Sequence, residues 1–364
     1  MTFKRTGVKL LAGALAASCL IPACHKKAPE LAGFAPAVES STVKFWGYKL
    51  TVLVDATPEQ LEAYITDTGK LKQEVSGVRI DQVSASRKME KVGDSADYAI
   101  KIPGYAVSYR LTMIHYAPLQ EIWYMTEISN ELLVSVLRYQ MKKVKDGTLL
   151  TVRFELEEPR SGLLKTIAEQ INLQSLMVKG TEQGTAMIQA WFNKSLTVEG
   201  LLKKGLRGDY YVTFFSGNRV SSWIDASPQR VDEYMTSPET WARWEEQFKI
   251  RNMGPCLTAA SEGACRAEIT IMGIGYELSF FNASYDPGKY TSSYFTSPIA
   301  GVGRLQTFIK PRDKGADLSI EYMVQISQSS TGATELLVSL SQLPKIIQEI
   351  VLDAKASLES PGKT

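Results

Sequence analysis

Residues 45–58 read FWGYKLTVLVDATP, and residues 215–228 read FSGNRVSSWIDASP. Aligned, Gly47 meets Gly217, Asp55 meets Asp225, Ala56 meets Ala226 and Pro58 meets Pro228, all 170 residues apart. Gly104 and Gly273 follow at 169, as do Tyr116-Ala117-Pro118 and Tyr285-Asp286-Pro287. In the next strand Tyr124 and Thr126 pair with Tyr294 and Thr296. Landmarks held at one nearly constant offset indicate a tandem duplication. Solenoid repeats are roughly 20–50 residues long, so a 170-residue copy is a domain.

Both copies carry the same local code. A strand, 49–54 or 219–224, runs into Asp-Ala-Thr/Ser-Pro. Thr57 and Ser227 fit a helix N-cap, with Pro58 and Pro228 at the first helical position. Leu61, Tyr64 and Ile65, like Val231, Tyr234 and Met235, then recur at helical spacing. Alternating or aromatic-rich segments predict strands over 77–84, 96–103, 105–116, 121–128 and 148–157, with counterparts at 249–256, 266–272, 274–285, 290–296 and 316–327. Long helical stretches over 163–194 and 334–358 close the copies. The fold class is α+β: two tandem helix-grip domains, each a bent antiparallel sheet wrapped around a long C-terminal helix.

On this element order and the V/I-D-A-T/S-P entry to the first helix, each copy resembles the START/SRPBCC superfamily, also called Bet v 1-like, which includes lipid-transfer domains and polyketide cyclases. The resemblance covers about 45–195 and 215–360. It implies a cavity between helix and sheet for a hydrophobic ligand of the lipid, sterol, isoprenoid or polyketide class.

Alternation places Tyr109, Leu111, Met113 and His115 on one face of the third strand, and Tyr276, Leu278, Phe280 and Asn282 on the matching face of the second copy. If that face lines a cavity, Met113, His115 and Asn282 stand where a polar head group would sit. Otherwise they plug the grip, with His115 a rim histidine. Gly180 and Gly184, followed by Met187 and Trp191, interrupt the long helix of the first copy only. They provide ligand room or a bend, or else close packing or a helix break. Each costs roughly 1 kcal/mol of helix stability relative to alanine. Trp241 and Trp244 are candidate lipid or partner contacts on the second copy.

The N-terminal segment reads as an address. Lys4, Arg5 and Lys9 precede an uncharged apolar run, 10–23, that ends at Cys24. At 14 residues the run falls short of the roughly 20 needed to span a bilayer and fits a secretory signal over 1–23. The sequence around Cys24 resembles a bacterial lipobox, although Pro22 is atypical. Cys19 and cleavage without lipid are the alternatives. The resemblance, with no Asp after Cys24, implies outer-membrane retention on the periplasmic side. Residues 24–41 read as a tether, 42–196 as domain 1, 197–212 as a linker and 213–360 as domain 2. Cys256 and Cys265 are expected to close a hairpin by a disulfide in an oxidising compartment, with two reduced thiols as the alternative.

Composition excludes several function classes. The 364 residues carry 41 Lys and Arg against 39 Asp and Glu. Removing residues 1–23, with three bases and no acid, leaves a net charge of −1, so no nucleic-acid footprint is expected. Two histidines, His25 and His115, exclude multi-histidine metal sites, and no cofactor is expected. No catalytic triad, G-x-S-x-G or P-loop pattern occurs, leaving His115, Tyr109 and Arg110 as weak catalytic candidates. The expected function is a lipid-anchored periplasmic carrier of a hydrophobic ligand. The alternatives are a protein-interaction lipoprotein with filled grips and, behind it, a cyclase-type enzyme.

Overall fold

The computed structural model describes residues 36–71, 73–75, 78–85, 87–102, 105–128, 133–159, 162–170, 172–248, 250–252, 264–271, 274–297, 301–325 and 343–360. The leader, Cys19, Cys24 and Cys256 lie outside them, as does the side chain of Cys265.

The first half comprises β1 (Ala37–Val54), α1 (Pro58–Ile65), β2 (Gln73–Val75), β3 (Val78–Gln82), β4 (Ser95–Ile102), β5 (Tyr105–Ala117), β6 (Glu121–Ile128), β7 (Leu133–Val144), β8 (Gly147–Glu157), α2 (Gly162–Gln170), α3 (Leu173–Phe192) and α4 (Val198–Lys204). The second comprises β9 (Asp209–Ile224), α5 (Pro228–Thr236), α6 (Pro238–Phe248), β10 (Ile250–Asn252), β11 (Ala264–Ile271), β12 (Ile274–Asp286), β13 (Tyr290–Ser297), β14 (Gly301–Arg312), β15 (Gly315–Gln325) and α7 (Leu343–Glu359).

The helix starts follow from the caps. Thr57 Oγ1 accepts from the Gln60 amide at 3.4 Å, and Gln60 Oε1 accepts from the Thr57 amide at 3.0 Å. Ser227 repeats the first of these bonds with Arg230, also at 3.4 Å. Such a cap stabilises a helix by about 1 kcal/mol.

The strands form one fifteen-stranded sheet ordered β10-β11-β12-β13-β14-β15-β9-β1-β8-β7-β6-β5-β4-β3-β2. The halves join where β1 pairs with β9 from Ala37↔Ser221 to Lys49↔Asp209. Residues 37–41, which the composition assigned to the tether, therefore begin a strand. Residues 209–212, assigned to the linker, begin another. Glu39, Ser40 and Ser41 carry no apolar signal because the partner that orders them comes from the other repeat. β7 and β14 also lay outside the strands expected from the pattern. β7 buries Val134 and Val136 on one face and Tyr139 and Met141 on the other, so alternation is lost.

Each half packs its helices on the inner face of its own part of the sheet. In the first half, Tyr48, Leu50, Tyr98, Leu111, Met113, Tyr124 and Tyr139 meet Leu61, Tyr64, Met177 and Ile188. In the second, Val220, Phe295, Ile320 and Tyr322 meet Trp244, Ile347 and Val351. The opposite faces pack on each other around Val43, Phe45, Ile114, Met125, Val136, Phe215, Tyr294, Val302 and Met323. Across this seam Thr296 Oγ1 donates to the Ile114 carbonyl at 3.1 Å.

A β-bulge interrupts β5 between Met113 and His115, and another interrupts β12 between Asn282 and Ser284, at equivalent positions 169 apart. An extra residue reverses the facing of everything beyond it. Tyr116 therefore faces Ile122 and Tyr285 faces Thr291. The offset of 169 thus persists through the next strand, and the equivalent of Tyr124 is Ser293 rather than Tyr294. Tyr124 is inner core and Tyr294 lies in the seam, a one-residue difference that changes the face.

Candidate functional site: the inner face of the first half

Six tyrosines line one region of the first half. Tyr98, Tyr109, Tyr124 and Tyr139 come from β4, β5, β6 and β7, Tyr116 from the end of β5 and Tyr64 from α1. Tyr98 stacks on Tyr109 with ring centroids 5.5 Å apart, and Tyr124 meets Tyr139 edge-on at 6.2 Å. Each phenol brings a large apolar body and one polar tip, and buried tips normally find a partner.

Three of them do. Tyr98 donates to the Thr68 carbonyl at 2.9 Å, Tyr124 to the Ile65 carbonyl at 3.1 Å and Tyr116 to Glu62 Oε1 at 2.8 Å. Tyr109 and Tyr139 have no hydrogen-bond partner among the described residues, although Tyr139 is only 6% exposed and packs among Leu137, Met141 and Tyr124. Burial pushes both phenols well above their usual range. They are protonated donors at neutral pH.

α3 covers this face as one continuous helix from Leu173 to Phe192, so the glycines neither break nor end it. The break lies before it, at Asn172, whose φ of 48° is left-handed. A methyl group added at Gly180 would meet nothing within 4 Å, which rules out close helix–sheet packing there. Gly184 and Met187 are half-buried on the same side of the helix. Trp191 continues that side, 46% exposed, its ring tilted against Tyr64 at 5.4 Å with Lys70 Nζ 3.9 Å from its centre.

The structure keeps Tyr109, Leu111 and Met113 together on the inner face and removes His115 from it. The bulge turns His115 to the seam side, where its ring lies 4.5 Å from Trp123. Alternation alone could not register the extra residue. Arg110 is exposed and paired with Asp97 at 2.8 Å, so Tyr109, Arg110 and His115 form no common catalytic constellation. In the second half Phe280 packs on Phe295 at 5.4 Å, while the side chains of Tyr276, Leu278 and Asn282 lie outside the described residues.

Trp244 is a buried packing residue rather than a surface contact, and Trp241 is half-buried against it. Trp244 is 1% exposed, its indole donates to Asp353 Oδ2 at 2.8 Å, and Trp241 donates to the Met235 carbonyl at 2.9 Å. The second-half tyrosines Tyr234, Tyr285 and Tyr322 all have partners: Asp353, Asp232 and Asn218. Tyr98, Tyr124 and Tyr139 were not singled out from the sequence, where a count of tyrosines on neighbouring strands was the available signal. Among the described residues no cluster of metal-ligating side chains occurs.

No family model matches the chain, and no curated protein matches it. Among solved structures, the di-domain ARO/CYC BexL from the BE-7585A biosynthetic pathway is similar at 14% identity over 87% of this chain and 99% of that one, with a TM-score of 0.34. The di-domain ARO/CYC StfQ from the steffimycin pathway is similar at 11% over 85% and 98%, with a TM-score of 0.31. Ara h 8.0201 is similar at 9% over 38% of this chain and 96% of that one, with a TM-score of 0.30. At such scores no function passes from them to this chain.

Proposed function

We propose that the protein is an exported carrier, tethered to the bacterial outer membrane through Cys24, that holds a hydrophobic small molecule between α3 and the inner face of the first half. On this reading the chain is a duplicated helix grip with one loaded copy and one filled copy. The observation that carries it is that Tyr109 and Tyr139, on the apolar inner face of the first half, have no hydrogen-bond partner among the described residues, and open space lies beside Gly180 of α3. The second half, whose aromatic polar tips named above are satisfied, has the character of a structural partner. The apolar run before Cys24 supports the envelope placement.

The test is native mass spectrometry of the protein purified from a lipid-containing host, followed by organic extraction. One equivalent of released apolar mass supports a single loaded half. A clean apo mass that stays unchanged after incubation with lipids overturns the carrier. A second reading, a protein-binding envelope module, is favoured by Tyr210, Val212 and Phe214, which project from one face of β9 and are half-exposed or more.

A further inference from the structure

An apolar strip with cations at one end marks the junction of the two halves. Tyr210, Val212 and Phe214 alternate along β9, so they share one face of the strand. They are 63%, 50% and 51% exposed. The register sets them opposite Tyr48, Trp46 and Lys44 of β1. Tyr48 is buried in the first-half core and Trp46 packs at its margin, so the strip prolongs the inner face out into solvent.

The cations come from the segment just before it. α4 and the turn after it expose Leu202, Lys203, Lys204 and Arg207. Lys203 pairs with Glu199 at 2.7 Å, whereas Lys204 and Arg207 have no ion pair among the described residues. Leu206 packs against the first-half core, and Gly208 lies so close to Tyr48 that a Cβ would fall 2.6 Å from its ring. Tyr210 meets the same ring edge-on at 5.2 Å. Tyr48 thus holds the basic turn beside the apolar strip. Residues 200–216 carry Lys203, Lys204 and Arg207 against Asp209 alone, in a chain whose net charge without its leader is −1.

Exposed apolar side chains beside unpaired cations suit a surface with an apolar layer beneath an anionic one. A bilayer has both. Aromatic side chains settle at its headgroup boundary, and each Lys or Arg near anionic lipid strengthens binding by about fivefold. The anchor supplies proximity. Residues 24–36 reach at most about 45 Å when extended. The strip lies about 23–36 Å along β1 from Ala37, within that reach.

Resting on the reading of Cys24 as a membrane anchor, we infer that residues 202–214 form a bilayer-docking surface, with Tyr210, Val212 and Phe214 entering the headgroup boundary and Lys204 and Arg207 meeting the phosphates of anionic lipid. The strip continues the inner face of the first half, so docking brings that face to the membrane.

All described residues lie within one compact unit, Pro36–Thr364, so a chain of residues 25–364, without leader or Cys24, retains them. This chain is sedimented with vesicles of phosphatidylcholine alone and of an equal mixture with phosphatidylglycerol. The mixed vesicles should bind at least about tenfold more tightly, and about 0.5 M salt should remove most of that preference. Lys204→Gln/Arg207→Gln should lose about tenfold on mixed vesicles, and Val212→Ser/Phe214→Ser about fivefold or more. Val83→Ser, which removes a 65%-exposed apolar side chain beside β3, seven strands from β9, should change binding by less than about twofold. Thermal midpoints report folding, and if the serine pair unfolds, the glutamine pair and the wild-type lipid preference decide. Failure to bind mixed vesicles, or both pairs binding as wild type does, overturns the inference and leaves the strip to a protein partner. A dimer in solution that the serine pair dissolves also overturns it, by assigning the strip to a second copy. Because Cys24 is absent from the test chain, these results leave the anchor and the carrier standing, which fractionation of Cys24→Ala and mass spectrometry test separately.

Discussion

Tyr116 and Tyr285, 169 residues apart, make the same bond: each reaches past a bulge to a carboxylate on the first helix of its own half, Glu62 at 2.8 Å and Asp232 at 2.7 Å. The bond fastens helix to sheet in both copies. Desolvation, and then the acid partner, pushes both phenols up to about 12, so both remain donors throughout the neutral range.

Replacing either tyrosine by phenylalanine should cost about 1–2 kcal/mol, with the larger loss at Tyr285, because Asp232 is the more buried acid and would be left short of a donor. Urea midpoints of the two single variants check this. Equal and negligible shifts would count against a shared fastening role.

The seam contains a buried ion pair, Arg304 Nη1 to Glu157 Oε2 at 3.2 Å, and the carboxylate also accepts from the Val134 amide at 3.3 Å. Arg304→Met should cost about 3–5 kcal/mol by leaving a buried carboxylate uncompensated. Adding Glu157→Leu should restore much of that loss. A double variant no more stable than Arg304→Met would show that the pair is not an isolated unit.

Gly47 lies under the ring of Tyr211, which is held by a 2.9 Å bond to Glu155. A Cβ there would fall 2.4 Å from a ring carbon. Gly47→Ala should therefore destabilise by about 1–3 kcal/mol, the usual cost of overpacking. Tyr211→Leu in the same chain should recover part of it, as thermal midpoints of the three variants would reveal.

His115 responds to acid. Burial holds its imidazole below the usual value, Arg138 pushes the same way, and Glu121 opposes both. An unfolded histidine titrates near 6.5, so on acidification the unfolded chain takes up the proton first. Stability from this group is complete above that pH and falls as the pH drops below it. The urea midpoint should decline less steeply from pH 7 to pH 5 in His115→Gln than in the wild type. Identical slopes would remove His115 as the cause.

Much of the fold was legible because it is written twice. The V/I-D-A-T/S-P motif, the capping residues and the strand phase each recur, so chance similarity at one copy was checked by the other. What escaped depended on distant partners. β1 begins at Ala37 only because β9 runs beside it, and β7 conceals its period because both of its faces are buried. The site was half legible: Tyr109, Leu111 and Met113 followed from alternation, whereas His115 was misplaced by one bulged residue. The tryptophans show the same limit. Trp191 and Trp223, 46% and 38% exposed, lie at the surface, whereas Trp244 packs inside with Trp241 half-buried against it.

The joining of β1 to β9 also determines what the sheet leaves open. Two separate curved sheets would present four lateral margins, each a row of amides and carbonyls ready to recruit a stranger. Among the described residues the merged sheet has two, and both are three-residue strands, β2 (Gln73–Val75) and β10 (Ile250–Asn252). Short margins are poor templates for edge-to-edge aggregation. Fusion of the copies thus gives the chain protection against self-association that neither copy would have alone.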